Sequence, residues 1–251
     1  MLSIFIIALN EADRIGRTIE SVKALSDDIV VVDSGSTDGT QEAAARLGAR
    51  VIYNPWPGYG PQKRFAEDQC RHDWLLNLDA DEVATPELVS EIKQLFASAQ
   101  PHAAYTISIR EILPMETQPS HFGRSVKPIR LYDRRAGRYA DSTVHDRVQM
   151  ERGTIAHLHS ALWHYSSRSL AHSLYKLDRY STMQAADMYK KYGKHLPFRA
   201  LGLVIIFPIA FFKAYILRLY ILKGMPGFVN AVVYAFSRFI RLAKYDELRR
   251  K

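Results

Sequence analysis

Short apolar runs separated by amphipathic stretches fill the beginning of the chain. Leu2–Ala8, Ile29–Val32 and Arg50–Tyr53 have the length and apolar content of buried strands. Apolar residues recur at helical spacing between the first two runs, and Thr40–Leu47 favours a second helix. This alternation of strands and helices predicts an α/β fold with a parallel sheet and right-handed crossovers.

An acidic turn ends the next apolar run. Trp74–Leu78 has the pattern of a buried strand, and Asp79–Glu82 follows it directly. Ligands bind at the carboxyl edge of an open α/β sheet. Asp79 and Asp81 are expected at this edge, and their i, i+2 spacing lets both carboxylates turn toward one point. Oxygen ligands of this kind suit Mg²⁺ or Mn²⁺. The alternative is a solvated acidic turn before a helix that Thr85 caps.

The rest of residues 1–189 continues with helices and strands in mixed order. A Gly/Pro-rich loop precedes a basic helical segment, and further strands follow a helix with a clear start signal. The predicted elements are helices at Gln62–Cys70, Thr85–Ser98 and Arg168–Lys191, and strands at Ala103–Ile109 and Ile129–Asp133.

Positive charge is concentrated at the carboxyl-terminal end. The net charge is +8, but residues 190–251 hold 13 Lys/Arg against two acidic residues, a balance of +11. Residues 1–189 hold 21 basic and 24 acidic residues, a balance of −3. This asymmetry predicts an anionic partner for the tail. The single cysteine, Cys70, excludes an internal disulfide and favours a reducing compartment.

The tail also differs from the body in its apolar pattern. Ala200–Phe212 has no charged residue but is shorter than the roughly 20 residues that span a bilayer. Phe228–Tyr245 carries a narrow polar stripe on an apolar helix, which is typical of a helix lying in a membrane interface. Nucleic acid fits less well as the partner, because the apolar surface is too large and the basic residues are too dispersed, and we predict no nucleic-acid binding. An ordinary buried helical pair is the alternative. We therefore predict a catalytic domain over residues 1–189 and a membrane-associating tail over 190–251.

Several short motifs follow one another in a characteristic order. They are Ala8-Leu9-Asn10-Glu11, Val31–Thr40, Gly58–Lys63, Leu78–Glu82 and Val144-His145-Asp146. Together they resemble family 2 glycosyltransferases of the GT-A fold, and in particular the bacterial lipopolysaccharide inner-core β-1,4-glucosyltransferase group. The resemblance implies a Rossmann-like, mostly parallel nucleotide-sugar-binding sheet flanked by helices, with a C-terminal helical extension.

The resemblance also implies a reaction and a place. An inverting enzyme would move a sugar from a nucleotide-diphosphate donor such as UDP-glucose to a lipid-linked saccharide acceptor such as the lipopolysaccharide core. The expected location is the cytoplasmic face of the bacterial inner membrane, either peripheral or re-entrant, on an anionic membrane surface.

A divalent cation, Mg²⁺ or Mn²⁺, is expected to neutralise the departing diphosphate as a Lewis acid. By resemblance, Asp81 is its main protein ligand, and Asp79 lies at the metal or ribose side.

The donor-binding residues are also assigned by resemblance. Asp33 contacts the base or ribose, Lys63 lies near the diphosphate as a point charge, and Asn10 and Glu11 line the nucleotide pocket. The alternative for Asp33 is a cap of the following loop, for which Asp38 is better placed.

Inverting transfer also needs a carboxylate that accepts the proton of the acceptor hydroxyl. Asp146 takes this role by resemblance, with His145 orienting it or contacting the diphosphate. The group usually has Glu where this chain has the shorter Asp146, and Asp141 is therefore the alternative base.

Two other classes of function compete with glycosyl transfer. A sugar nucleotidyltransferase shares aspartates at strand ends but favours a Gly/Arg-rich loop after the first strand, and Asn10–Asp13 is acidic instead. A catalytically inactive membrane adaptor of the same fold would not need so many aspartates at loop edges.

Overall fold

The computed structural model describes residues 1–99, 101–116, 118–119, 125–142, 146–195 and 199–250. The chain forms two compact units, the first made of Met1–Arg110 and Ser125–His164, and the second of Glu111–Arg124 and Tyr165–Lys251. The units divide after His164, whereas the functional boundary after residue 189 stays a prediction.

Most of the predicted elements are present with nearly the predicted bounds. The strands are β1 (Leu2–Ala8), β2 (Asp28–Asp33), β3 (Arg50–Tyr53), β4 (Trp74–Asp79), β5 (Glu82–Ala84), β6 (Ala104–Glu111), β7 (Ser125–Val126), β8 (Ile129–Asp133), β9 (Gly137–Tyr139), β10 (Val148–Met150) and β11 (Ile155–His164). The helices are α1 (Ile15–Val22), α2 (Thr40–Arg46), α3 (Tyr59–Gln69), α4 (Pro86–Phe96), α5 (Leu170–Tyr192), α6 (Arg199–Phe212) and α7 (Gly224–Arg250). The Thr85 hydroxyl accepts a hydrogen bond from the Leu88 N–H, which confirms the predicted cap of α4.

The first four strands along the chain confirm the predicted parallel sheet. β3, β2, β1 and β4 lie side by side in that order, and each neighbouring pair is parallel. β2 is buried along its whole length, as expected for a parallel strand covered on both faces. The register sets Ala8 beside Asp33 and Ile7 beside Asp79, so the aspartates that end β2 and β4 flank the end of β1.

The other half of the sheet is antiparallel where its pairing is resolved. In the described chain the sheet continues from β4 through β8, β6, β11 and β5, and β7 pairs with β6. The pairs β4–β8, β6–β8 and β5–β11 are antiparallel. The predicted α/β class is therefore confirmed, with a mixed sheet in place of a mostly parallel one. β9 and β10 form a separate two-stranded ribbon.

Helices dominate the second unit. α7 packs against α5 and α6, and Ala185, Leu242 and Tyr245 form a small buried core. The Tyr245 hydroxyl donates a hydrogen bond to the Gly193 carbonyl at 2.8 Å. α6 contains Pro208 and leads into a π-helical turn, so the chain bends before α7.

Many large apolar side chains of this unit are exposed. They include Val204, Leu217, Leu222 and Met225, which are 57–74% exposed. In the described residues, no helix taken singly has the length and apolar content of a bilayer span. The segments Leu201–Leu217 and Tyr220–Arg250 meet that test only together, and they are bent by 68°.

Candidate active site

Three parallel strands deliver their polar ends to one edge of the sheet. β1 leads into Asn10 and Glu11, β2 ends at Asp33, and β4 ends at Asp79. These four residues are among the positions at which the sequence predicts donor binding, and the strand register sets Asp33 and Asp79 on either side of the end of β1. The fold therefore forms the expected polar edge.

Asp33 organises the loop that follows β2. Its buried carboxylate accepts hydrogen bonds from the N–H groups of Gly35 and Ser36 at 2.9 and 2.8 Å, and from the Gln41 amide at 2.7 Å. These contacts fit the loop-cap alternative, and nucleotide binding by Asp33 stays a prediction.

Asp38 joins the loop after β2 to the loop after β1. It accepts hydrogen bonds from the N–H groups of Thr40 and Ala12, each at 3.1 Å. The Glu11 N–H donates to the Thr40 hydroxyl at 2.8 Å, and the Thr37 N–H donates to the Asn10 side chain at 2.9 Å. The capping role expected of Asp38 is confirmed, and the loop carrying Asn10 and Glu11 has a defined position.

One chain of charged side chains runs through the acidic turn. Arg14 is buried and donates to Glu11 at 2.6 Å, and its guanidinium lies 3.3 Å from Asp81. The other carboxylate oxygen of Asp81 lies 3.3 Å from the His164 Nε2. Burial lowers the pKa of His164, but the hydrogen bond and charge of Asp81 outweigh it, and the net pKa is raised.

A second network surrounds Asp79. The buried Lys63 ammonium lies 3.0 Å from Asp79 Oδ1 and 2.9 Å from Asp146 Oδ2. The buried Arg130 donates to Asp79 Oδ2 at 2.9 Å and to Glu82 at 2.7 Å. Both oxygens of Asp79 therefore have a cationic partner, and Lys63 joins the strand-end aspartate to the candidate base.

Opposing effects set the protonation of this network. Burial raises the pKa of Asp79, but Arg130 and Lys63 outweigh it and hold the pKa far below the ordinary range. Burial lowers the pKa of Lys63, but Asp79 and the groups around it raise it overall. Burial raises the pKa of Glu82 to about 7 although Arg130 opposes the change. Asp79 and Lys63 are therefore a charged pair at neutral pH.

The start of α3 positions Lys63. Gly58 has φ of 118°, a conformation that favours glycine, and it directly precedes the helix. The Gly60 N–H donates to the Ser142 carbonyl at 3.0 Å. The buried Gln62 side chain donates to the Ser34 hydroxyl at 3.1 Å, which ties α3 to the loop after β2. The glycine-rich motif thus brings a helix close to the backbone just before Asp146.

A cleft of about 350 Å³ opens at this edge. Its wall combines ionisable side chains with an apolar part. It is lined by Asp79, Glu82, Ile109, Val126, Pro128, Arg130, Tyr139, Asp146 and His164. This combination suits a small polar ligand with one less polar face.

The residues at the acidic turn fit a divalent cation that is shared with a ligand. Within the described chain, no three acidic, His or Cys side chains form a complete metal site. Asp79 has both oxygens in ion pairs with Lys63 and Arg130, whereas the ion pairs of Asp81 within the described residues, to Arg14 and His164, are longer. Mg²⁺ commonly takes one or two protein ligands and completes its shell with phosphate oxygens and water. Asp81 with His164 matches that pattern better than Asp79 does.

Asp146 and Asp141, the two candidate bases, differ in position. Asp146 lines the cleft, whereas Asp141 is exposed and is not among the lining residues. His145 lies outside the described residues, so its assignment stays a prediction.

The sequence pattern gave Arg14, Arg130 and His164 no role at the acidic turn. Arg130 had a detectable signal, because it occupies a strand position whose neighbours Leu131 and Tyr132 are buried. Arg14 and His164 had none, because only the fold brings them to Asp81.

The fold and site define a class of protein that the comparisons with known proteins identify. The model of glycosyl transferase family 2 matches residues 3–163. The chain belongs to this family, and it is a glycosyltransferase with a GT-A fold.

Similar proteins cover almost the whole chain. An uncharacterized glycosyltransferase of Rickettsia felis is 42% identical over 98% of this chain and 89% of its own length. The lipopolysaccharide core biosynthesis glycosyltransferase LpsC of Rhizobium meliloti is 33% identical over 97% of this chain and 91% of its own length. Among solved structures, glucosyl-3-phosphoglycerate synthase from Mycobacterium tuberculosis, in complex with Mn²⁺ and UDP-glucose, is 25% identical. The structural match covers 45% of this chain and 43% of the synthase chain, with a TM-score of 0.37.

Proposed function

We propose that this glycosyltransferase transfers a sugar, with inversion, from a nucleotide-diphosphate sugar such as UDP-glucose to a lipid-linked saccharide acceptor. The geometry that carries the proposal is the pairing of Asp146 and Asp79 through Lys63 at one cleft that His164 also lines. The similarity to LpsC, which is named for lipopolysaccharide core biosynthesis, supports a saccharide acceptor of that kind.

Asp81 and His164 would hold a divalent cation at the donor diphosphate. Bound there, Mg²⁺ or Mn²⁺ supplies a Lewis acid for the departing charge. Arg14 fixes one oxygen of Asp81 and also contacts Glu11, so the metal ligand is tied to the loop after β1. Asp79 forms ion pairs with Lys63 and Arg130 and so keeps both cations at this edge of the sheet.

Asp146 is the proton acceptor in this reaction. The acceptor oxygen forms a bond to the anomeric carbon as its proton passes to the Asp146 carboxylate, and the bond to the nucleoside diphosphate breaks on the opposite face. The leaving diphosphate takes the electron pair. Lys63 holds one carboxylate oxygen of Asp146 at 2.9 Å.

The second unit would associate with an anionic membrane surface as a peripheral element at the cytoplasmic face. Its support is the +11 charge balance of residues 190–251 together with exposed apolar side chains such as Leu217 and Leu222. Basic residues gain about 1 kcal/mol each near anionic lipid. Interfacial apolar side chains add the hydrophobic contribution to binding.

The test is transfer by the Asp146→Asn variant across a panel of sugar nucleotides with Mg²⁺ or Mn²⁺. General-base loss typically costs about 10²- to 10⁴-fold, so release of nucleoside diphosphate should fall that far. Donor affinity, measured by calorimetry, should stay nearly constant because Asn preserves size and hydrogen bonding. A large fall in rate with little change in donor affinity is the mark of an interaction needed mainly in the transition state.

Asp141→Asn is the matched control, because it removes a nearby carboxylate that does not line the cleft. It should retain activity. Loss of activity in Asp141→Asn with a normal Asp146→Asn enzyme would identify Asp141 as the base. Weakened donor binding in Asp146→Asn would place Asp146 in the diphosphate site.

A further inference from the structure

Two arginines stack on one tyrosine in the second unit, and two further cations interact electrostatically with this group. The guanidinium carbons of Arg218 and Arg238 lie 4.5 and 4.8 Å from the centre of the Tyr234 ring. Lys213 is close enough to act on the Tyr234 hydroxyl, and Arg241 is within electrostatic range of Arg238. We call these four cations and Tyr234 the tyrosine cluster.

The tyrosine cluster has no acidic partner in the part of the chain that the structure describes, whereas other tail cations do. Lys223 pairs with Glu116 at 3.2 Å, Lys244 with Asp178 at 2.6 Å, and Arg249 with Asp246 at 3.2 Å. Among the described residues, no ion pair of this kind involves the four cations of the cluster. Glu116, Asp178 and Asp246 therefore pair with cations outside the tyrosine cluster.

One donor of the cluster is buried without a hydrogen-bond partner. The Nε of Arg241 is inaccessible to solvent and has no hydrogen-bond acceptor among the residues that the structure describes. A buried unpaired donor costs about 1–3 kcal/mol, so such groups commonly have a partner. Burial lowers the pKa of Arg241, and the charge of Arg238 lowers it further, which means that the cations repel one another. An anion at this position would relieve the repulsion.

We propose that the tyrosine cluster binds a phosphate group, and that this group belongs to a phosphorylated lipid headgroup. Arginine guanidinium groups match phosphate oxygens with paired donors, and stacking on the Tyr234 ring limits their freedom. Leu217 and Leu219, next to Arg218, are 67% and 41% exposed. A soluble phosphate would leave these side chains in water, whereas a membrane lipid would contact them with its acyl region.

This assignment does not depend on the transfer reaction. It deepens the proposed membrane association, on which its lipid source rests, by naming the headgroup chemistry. The protein could therefore bind membranes without recognising phosphate, or transfer sugar without doing either. The experiment below distinguishes these results.

The test measures binding of the full-length protein to phosphatidylcholine vesicles that contain either phosphatidic acid or phosphatidylserine at matched surface charge. The wild type should prefer phosphatidic acid, with its exposed phosphate monoester, by roughly tenfold. Arg218→Gln/Arg238→Gln should abolish that preference. The matched control, Lys190→Gln/Lys191→Gln, removes two exposed charges from α5 in the same unit and should keep it.

A second variant tests whether a lost preference comes from the tyrosine cluster itself or from a change in net charge or folding. Tyr234→Leu keeps every cation but removes the ring against which Arg218 and Arg238 stack, and it should also lose the preference. Equal losses in the arginine and lysine double variants would reduce the effect to charge alone and overturn the site. Displacement from phosphatidic acid vesicles by millimolar inorganic phosphate would overturn the lipid source. Failure to bind any vesicle, in protein that still transfers sugar, would overturn both the lipid source and the membrane association.

Discussion

At the scale of single residues, the two aspartates of the acidic turn have different surroundings. Asp79 lies between Lys63 and Arg130, and Asp81 lies between Arg14 and His164. A carboxylate with two close buried cations is poorly available to a metal, whereas contacts of 3.3 Å are readily exchanged for a ligand bond. Asp79 and Asp81, two positions apart, therefore have different roles: Asp79 holds two cations, and Asp81 is available to a metal.

Asp81→Asn should abolish the dependence of donor binding on Mg²⁺ or Mn²⁺, because an amide is a much weaker ligand for a hard cation than a carboxylate. Transfer should slow by well over tenfold, with about 1.4 kcal/mol for each factor of ten. Calorimetric titration of the donor with and without metal measures the effect. Asp13→Asn, an exposed acidic residue in the loop after β1, is the control. A metal titration of Asp81→Asn that matched the wild type would contradict the assignment.

Asp28 provides a prediction about stability and pH. Its buried carboxylate accepts hydrogen bonds from Ser3 at 2.6 Å, the Arg71 N–H at 2.8 Å and the Arg50 guanidinium at 2.8 Å. Burial raises the pKa of Asp28, but the Ser3 and backbone hydrogen bonds and Arg50 outweigh it, and the pKa is lowered from 3.8. Its stabilisation is therefore complete above the unfolded value and is lost as pH falls through the folded value.

Asp28→Asn should lower the free energy of unfolding by about 2 kcal/mol at neutral pH, because a charged acceptor of several buried donors is lost. The gap between wild type and variant should stay constant at higher pH and narrow below pH 3.8. Urea denaturation over a pH series measures it. Asp27→Asn, at an exposed neighbour, should show a much smaller change, and a gap that widened on acidification would rule out the linkage.

At the scale of elements, α3 carries a specific sequence constraint at Gly60. A Cβ atom on Gly60 would lie 2.2 Å from the Ala140 carbonyl oxygen and 2.5 Å from that of Ser142. Both obstacles are backbone atoms and cannot rotate away. The close approach fixes the segment before Asp146 against the helix that bears Lys63, which is why a glycine is needed within this helix.

Gly60→Ala should lower the free energy of unfolding by about 1–3 kcal/mol, the usual cost of overpacking. It should also reduce transfer, because the separation of Lys63 and Asp146 would change. Gly16→Ala is the control, since its nearest atom would be a Leu47 methyl at 3.7 Å and alanine favours a helix. Urea midpoints and turnover should change for Gly60→Ala but not fall for Gly16→Ala. Equal behaviour of the two variants would show that the close approach is relaxed at no cost.

At the scale of the whole molecule, charge and apolar exposure divide the chain. Residues 1–189 have a balance of −3 and form most of the mixed sheet and its cleft, whereas residues 190–251 have a balance of +11. Large exposed apolar side chains occur in this basic segment between Tyr192 and Phe236. Both features favour the same partner, an anionic membrane surface.

Binding of the full-length protein to anionic vesicles should therefore weaken as salt rises, because the Debye length falls from about 30 Å at 0.01 M to about 3 Å at 1 M. A residual, salt-resistant fraction should reflect the apolar contribution. Vesicle sedimentation over a salt series, with neutral phosphatidylcholine vesicles as the control, measures both parts. Binding that ignored lipid charge at low salt would contradict the electrostatic part.

Local sequence patterns were enough to predict the helices and strands, the parallel half of the sheet and its acidic edge. Apolar runs of strand length and the Thr85 cap depend on neighbouring residues, so the pattern alone predicts them. The partners of each carboxylate were decided only by the tertiary structure. Lys63 and Asp146 are 83 positions apart, and so are Asp81 and His164. Such pairs depend on strand order and on close approaches like that of Gly60, which no local period encodes. The antiparallel half of the sheet and the tyrosine cluster could not be predicted for the same reason. Packing between distant segments determines which strands pair and which polar groups lie close together.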